Sequence, residues 1–321
     1  MGILVVGSVG YDTVWTPLGS GTDLLGGSAT YFSISASYFS SVSLVAVVGS
    51  DFRSDDINLL KNHGVNTSGL EIASGKTFRW SGRYDPDDVN RRDTLDTQLN
   101  VFAEFQPSLD REQRNQDYLF LANIDPELQL QVLNQMEKRP KLVAVDTMNF
   151  WIDSKKRHLS KVIELADVVF MDEGELRSFS QEGNLVKAAK VIMAMGPKTV
   201  VAKQGEHGVL LFEHDSVFAA PAYPIEQVVD PTGAGDSFAG GFMGYLASEE
   251  RTIDTGSRQA AILGSVMGSF AVENLSVGQL RSLSYEDVVS RFRDFWMLTN
   301  FNPLGSGENL PWKNKNDAIY Q

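Results

Sequence analysis

Asp230, Pro231, Thr232, Gly233, Ala234, Gly235 and Asp236 are consecutive, and Phe238, Phe242, Tyr245 and Leu246 follow at the spacing of an apolar helical stripe. Pro231 and the small residues after Thr232 predict a tight turn with exposed main-chain N–H groups, leading into a helix N-terminus. Such a place attracts anions, because unpaired N–H groups and the helix dipole both favour negative charge. Asp236 stands at the start of that helix. Its carboxylate could simply cap the helix, or it could take the proton of a hydroxyl attacking a phosphoryl group. Gly233, Ala234 and Gly235 favour the second role, since a cap does not require the backbone to come close to a ligand. A base and an anion hole in one turn are what phosphoryl transfer demands. The dipole predicts a lowered pKa for Asp236.

Other segments place polar groups where a parallel strand would end. Asp12 follows the apolar run 3–6, where open α/β sheets bind ligands and where a carboxylate can accept bonds from two sugar hydroxyls. An Asx turn is the alternative there. Gly26 and Gly27 precede a helical segment and, lacking Cβ atoms, let main chain close on a ligand; a plain loop explains them too. Asp172, Glu173 and Glu175 follow the run 168–171 and suit a hard cation, usually through water, or else cap a helix and face solvent. Lys203 follows the run 199–202, from where it can meet a phosphate as a point charge. Gly205 and Gly208 after it are equally natural in a hairpin turn.

These positions depend on a scaffold, and the periodicity predicts one. The short apolar runs 3–6, 44–48, 118–122, 142–145, 168–171 and 199–202 read as buried parallel strands. Segments 29–38, 54–62, 126–138, 185–195 and 257–272 read as helices, so the fold class is α/β with a mainly parallel sheet. One region departs from this. Within 77–85 Phe78, Trp80 and Tyr84 share one parity, and within 95–105 Leu99, Val101 and Phe105 share another, which marks half-exposed antiparallel strands. The turn residues 86–90 lie between them. Residues 11–20 and 70–107 are therefore a small β excursion, either a surface hairpin or a lid, and 301–321 is an irregular tail.

Composition narrows the function. The chain has 321 residues, 42% hydrophobic and 21% charged, and a formal net charge of −13. An acidic surface repels phosphate backbones and anionic lipid, so neither nucleic acid nor membrane is an expected partner. The absence of cysteine excludes disulfides, thiolate metal sites and a Cys nucleophile. The four histidines lack ligand spacing. Without a signal-like N-terminus or a long apolar run, a cytoplasmic location is expected.

The run 230–243 matches, position by position, the C-terminal signature of the ribokinase-like (PfkB) family of carbohydrate and nucleoside kinases, and the resemblance extends over roughly residues 2 to 285. It implies a three-layer α/β/α kinase domain (1–10, 21–69 and 108–300) with a β lid (11–20 and 70–107) through which a homodimer could form. It further implies an ATP-dependent kinase acting on a hydroxymethyl group of a small-molecule sugar or nucleoside. In that reading Asp236 is the base and Gly233, Ala234 and Gly235 form the anion hole, while Asp12, Gly26 and Gly27 cradle the acceptor. Asp172, Glu175, Lys203, Gly205 and Gly208 face the nucleotide, with magnesium near Glu175 and the helix 257–272 as a wall of the adenine slot. Asp230 and Thr232 match positions that hold a monovalent cation in some members, which allows potassium activation. Tyr31 and Gly10 stand where Asn is common, and Asp172 replaces the Asn of an N-x-x-E motif. A sugar-phosphate acceptor would need a cation, which Arg79, Arg83, Arg91 or Arg92 could supply. The alternative is a ligand-sensing protein that kept the fold and lost turnover.

Overall fold

Side chains alternate between the two faces of a strand, and here both sets are apolar. Ile3 and Val5 enter one core, Leu4 and Val6 the other. A strand buried on both faces must lie inside a sheet covered by helices on both sides. The computed structural model, which describes residues 2–88, 90–248, 252–306 and 308, has that form.

The chain begins with β1 (Gly2–Val6), β2 (Gly10–Thr16), β3 (Gly19–Gly26), α1 (Ser28–Ser37), β4 (Ser41–Gly49), α2 (Ser54–Asn62), β5 (Val65–Ala73), β6 (Phe78–Tyr84) and β7 (Arg92–Gln98). It continues through β8 (Tyr118–Leu121), α3 (Pro126–Gln135), β9 (Leu142–Asp146), α4 (Asn149–Ser154), α5 (Lys156–Leu165), β10 (Val168–Asp172), α6 (Glu173–Ser180) and α7 (Leu185–Met193). It ends with β11 (Thr199–Lys203), β12 (Val209–Phe212), β13 (Val217–Ala220), α8 (Ala234–Ser248), α9 (Ile253–Ala271) and α10 (Tyr285–Thr299).

Among the described residues the strands form a nine-stranded sheet, ordered β13-β12-β11-β10-β9-β8-β1-β4-β5, and a four-stranded sheet, ordered β3-β2-β6-β7. The large sheet is parallel except at the β11-β12-β13 edge. One core holds α1, α2, α8, α9 and α10 against it, and the other holds α3 to α7. Because β1 lies between β8 and β4, the strand order reverses there, and the carboxyl ends of the strands open onto a crevice. No helix among the described residues is long and apolar enough to cross a membrane.

The structure also changes several expectations. β3 runs on to Gly26, and β5 belongs to the large sheet, so residues 21–26 lie in the small sheet and 70–73 outside it. The strand expected over 95–105 ends at Gln98; Asn100 has φ 50°, and a 3-10 turn follows over Asn100–Glu104. The β12–β13 hairpin is absent from the sequence reading. Of the expected tail, residues 307 and 309–321 lie outside the described residues.

Candidate functional site

The turn before α8 is built by one buried carboxylate. Asp230 is 1% exposed, and its two oxygens accept the N–H groups of Thr232 (2.9 Å) and Ser276 (3.1 Å). Burial raises its pKa, and these bonds oppose that. Gly233 then takes φ 75°, with the Tyr31 ring of α1 filling the space where a side chain would go. Its carbonyl accepts from Ser237 N–H at 2.8 Å, which starts the helix. Ala234 N–H donates to the Pro231 carbonyl at 3.2 Å, so its amide is engaged, contrary to the expectation that it joins the anion hole. The N–H groups of Gly233 and Gly235 donate to no main-chain carbonyl among the described residues, while that of Asp236 donates to its own carboxylate.

Asp236 is the third residue of α8 rather than its cap. Its pKa is raised to about 7, first by burial and then by the Asp146 carboxylate, while Lys203 and Arg92 oppose the shift. The lowering expected from the helix dipole is outweighed, because the dipole adds a fraction of a charge and desolvation acts on a whole one.

Three adjacent parallel strands carry charged residues to one end. Asp146, Asp172 and Lys203 close β9, β10 and β11, with Phe170 beside Asp146 and Asp172 beside Lys203 in register. Lys203 Nζ meets Asp146 Oδ2 at 2.9 Å and Oδ1 at 3.1 Å, and it approaches Gly235. Burial opposes the charge on Lys203, but Asp146 outweighs it and holds the ammonium protonated. Asp172 is exposed and caps α6. Its Oδ1 accepts Glu175 N–H, and Glu175 Oε2 accepts Asp172 N–H, both at 2.7 Å. Glu175 is buried at 7% exposure instead of facing solvent, and burial followed by Asp172 lifts its pKa to about 8. Gln204 donates to Glu173 at 2.8 Å, tying the end of β11 to α6.

Asp12 lies within β2, a strand of the small sheet, and not in a loop after β1. Its carboxylate packs over Gly26 and accepts Gly27 N–H. Burial, then Asp230 and Asp236, raise its pKa to about 7, while Arg92 opposes. These carboxylates therefore share one region with Tyr31, on which they also act. Two contacts bring the small sheet onto the same place. Tyr84 OH lies 3.0 Å from Thr232 Oγ1, and Asn90 sits against Gly205. Gly208 has φ 96° and packs on the Ala220 carbonyl inside the β11–β12 connection. In α9, Gly264 and Gly268 face Phe238 and Ala234, so the small residues there serve close helix packing.

The fold thus gathers Asp12, Gly26, Gly27, Glu175, Lys203, Asp230, Thr232, Gly235 and Asp236, while Asp172 and Gly208 hold backbone. Asp146 was missed, although an acid closing the run 142–145 was the signal used for Asp12 and Asp172. Tyr84 could not be placed from sequence, because its partner is 148 residues away. Among the described residues no group of three or more acids and histidines could cage a metal ion. Magnesium therefore fits here only as a cation carried by phosphates and water, with Glu175 nearby.

The pattern of the pfkB family of carbohydrate kinases matches residues 21–281. A cytidine kinase of Thermococcus kodakarensis is 31% identical over 253 residues, which cover 76% of this chain and 88% of that protein. The crystal structure of a nucleoside kinase of Methanocaldococcus jannaschii, described as an archaeal member of the ribokinase family, superposes with a TM-score of 0.73 at 21% identity, covering 91% of this chain and 98% of that one. A ribokinase-like protein of E. coli crystallised with ATP and magnesium superposes with a TM-score of 0.75 at 18% identity, covering 92% and 99%. Both structures share the fold described above.

Proposed function

The chain belongs to the pfkB family of carbohydrate kinases, a phosphotransferase with an alcohol acceptor, and from that premise we propose that it moves the γ-phosphoryl group of ATP to the hydroxymethyl group of a nucleoside. One observation carries the reading. Asp236, with a pKa near neutrality, shares a single turn with the N–H groups of Gly233 and Gly235, which donate to no main-chain carbonyl among the described residues, with Lys203 alongside and Asp12 nearby.

In this reading Asp12 and the Gly26–Gly27 main chain hold the acceptor hydroxyls. The hydroxymethyl oxygen attacks the γ-phosphorus as the bond to the ADP oxygen breaks. The hydroxyl proton passes to Asp236, and ADP leaves with the bonding electron pair. N–H groups of Gly233 and Gly235, with Lys203 pinned by Asp146, receive the charge that spreads over the phosphoryl oxygens. Bound magnesium would supply further neutralisation of the nucleotide phosphates. Gly205 and Gly208 shape the nucleotide loop. Potassium at Asp230 and Thr232 would act beside these steps, since each Asp230 oxygen accepts one main-chain bond and keeps a lone pair for a cation. We read the four-stranded sheet as the lid. Its outer side, with Trp15 and Leu18 exposed, is the surface on which a homodimer could form.

Two facts support a nucleoside over a free sugar. Similar proteins include a cytidine kinase and nucleoside kinases. Trp80 lies directly beside Asp12 in the lid register and offers an aromatic surface next to the acceptor carboxylate. ATP consumption at catalytic enzyme concentration, across nucleosides, free sugars and sugar phosphates, tests this. A nucleoside should be turned over fastest. A free sugar outrunning every nucleoside would overturn the acceptor class, and no turnover with any alcohol would overturn the roles assigned to Asp236 and its turn.

A further inference from the structure

Four lid arginines could present a cation to the site, and the fold separates them. Arg79 is held by Asp23 and by Asp51, the latter at 3.0 Å. Arg83 is exposed beside Trp15, with its guanidinium carbon 6.0 Å from that ring centroid. Arg91 lies in the connecting turn, where its carbonyl accepts Asp85 N–H at 3.0 Å. Arg92 is exposed too, but it differs from these in its face. It opens β7 opposite Tyr84, and a residue paired in register shares its neighbour's face. Tyr84 and Trp80 lie on one face of β6, and Trp80 pairs with Asp12. The Arg92 guanidinium carbon is 5.7 Å from the Trp80 ring centroid, on the side that carries Asp12 and whose Tyr84 touches Thr232. No carboxylate lies within ion-pair distance of Arg92 among the described residues, yet its charge is felt by both Asp12 and Asp236.

We propose that Arg92 is the lid's contribution to the transfer step, its guanidinium contacting the γ-phosphoryl group opposite Lys203 so that the cationic clamp is complete only with the lid down. The inference rests on the kinase reading. Lys203 reaches the turn before α8 from the sheet, beside Gly235, while Arg92 stands on the lid face whose Tyr84 touches Thr232 of that turn. A planar guanidinium can bond two phosphoryl oxygens at once, which the single ammonium of Lys203 does not do. Before nucleotide arrives, Asp12 and Asp236 attract Arg92 into the cleft, and the phosphoryl oxygens then compete for it. A cation delivered by closure also leaves the open state poor at passing the phosphoryl group to water.

The test uses Arg92→Ala and Arg92→Lys, with Arg83→Ala as control. Calorimetry would compare affinity for ADP with that for a non-hydrolysable β,γ-imido analogue of ATP, and kinetics would use the best acceptor of the wild type. Arg92→Ala should leave ADP affinity within about twofold and weaken the analogue about tenfold, the loss of a charge-assisted contact. It should lower kcat by roughly 10²- to 10³-fold, somewhat less than an arginine supplied to a phosphoryl group elsewhere contributes, with acceptor KM within about threefold. Arg92→Lys and added guanidinium ion should each restore part of the rate, and Arg83→Ala should match the wild type. A rise in acceptor KM at unchanged kcat would overturn the proposal by making Arg92 a reader of the acceptor. An unchanged analogue-to-ADP affinity ratio would also overturn it. That ratio needs no acceptor, so a failure of the nucleoside reading would be seen separately in the acceptor panel.

Discussion

Asp236 stands where two effects oppose each other, and their sizes decide its chemistry. The first turn of α8 favours the carboxylate by a fraction of a kcal/mol to about 1 kcal/mol, while burial and the nearby Asp146 push its pKa up to about 7. A base must be deprotonated to act. The acid limb of kcat/KM should therefore rise through about pH 7, and activity should be lost as pH falls below it. Asp236→Asn should lower kcat by about 10²- to 10⁴-fold, the usual contribution of a general base. The same variant should be more stable than the wild type at pH 8, by on the order of 1 kcal/mol once cleft water is allowed for, because it removes a desolvated carboxylate. Below about pH 4, where the carboxyl is protonated in the folded and the unfolded chain alike, the two proteins should unfold alike. Near wild-type turnover by Asp236→Asn would remove it from the reaction, and equal stability at both pH values would mean that the carboxylate is freely solvated.

Strands β6 and β7 are joined by a turn whose Asn90 meets Gly205, while Tyr84 at the end of β6 meets Thr232 in the turn before α8. In the proposed reading, one hairpin thus touches both the nucleotide loop and the turn of the base. Replacing residues 86–90 by a short turn should remove the Asn90 contact while leaving Asp12 in place. Acceptor KM should rise several-fold, and ATP hydrolysis without acceptor should increase relative to transfer, because closure excludes water. Unchanged acceptor kinetics with unchanged hydrolysis would reduce the hairpin to a surface feature.

Across the whole molecule, four buried acids, Asp12, Glu175, Asp230 and Asp236, share one direction of shift. Asp12 and Asp236 are raised to about 7 and Glu175 to about 8. Unfolded carboxyls titrate near pH 4. Between those values the folded protein binds more protons than the unfolded chain, so stability is full below about pH 4 and falls as pH rises to about 8. The ligand-free protein should therefore melt on the order of 5 °C lower at pH 8 than at pH 5, as followed by scanning calorimetry. Combining Asp12→Asn with Asp236→Asn should flatten that slope. A melting temperature that rises over the same interval would contradict the burial of these groups.

Much of this protein could be read from its residues alone. The runs 3–6, 44–48 and 168–171 became β1, β4 and β10 because continuous apolar stretches can only be buried on both faces. The turn before Asp236 was legible because Pro231 and the glycines act on their own backbone. Other features needed the tertiary structure. Asp146 pairs with Lys203 across 57 residues, and Tyr84 meets Thr232 across 148, distances at which no local pattern operates. The hairpin β12–β13 is too short for periodicity to separate it from loop. Which arginine shares a face with Tyr84 depended on strand register, and Ala234 lost its amide to Pro231 through the path of a single turn. The direction of the Asp236 shift reversed for the same reason. A helix start is local and visible in sequence, whereas desolvation is the sum of everything the fold packs around a group.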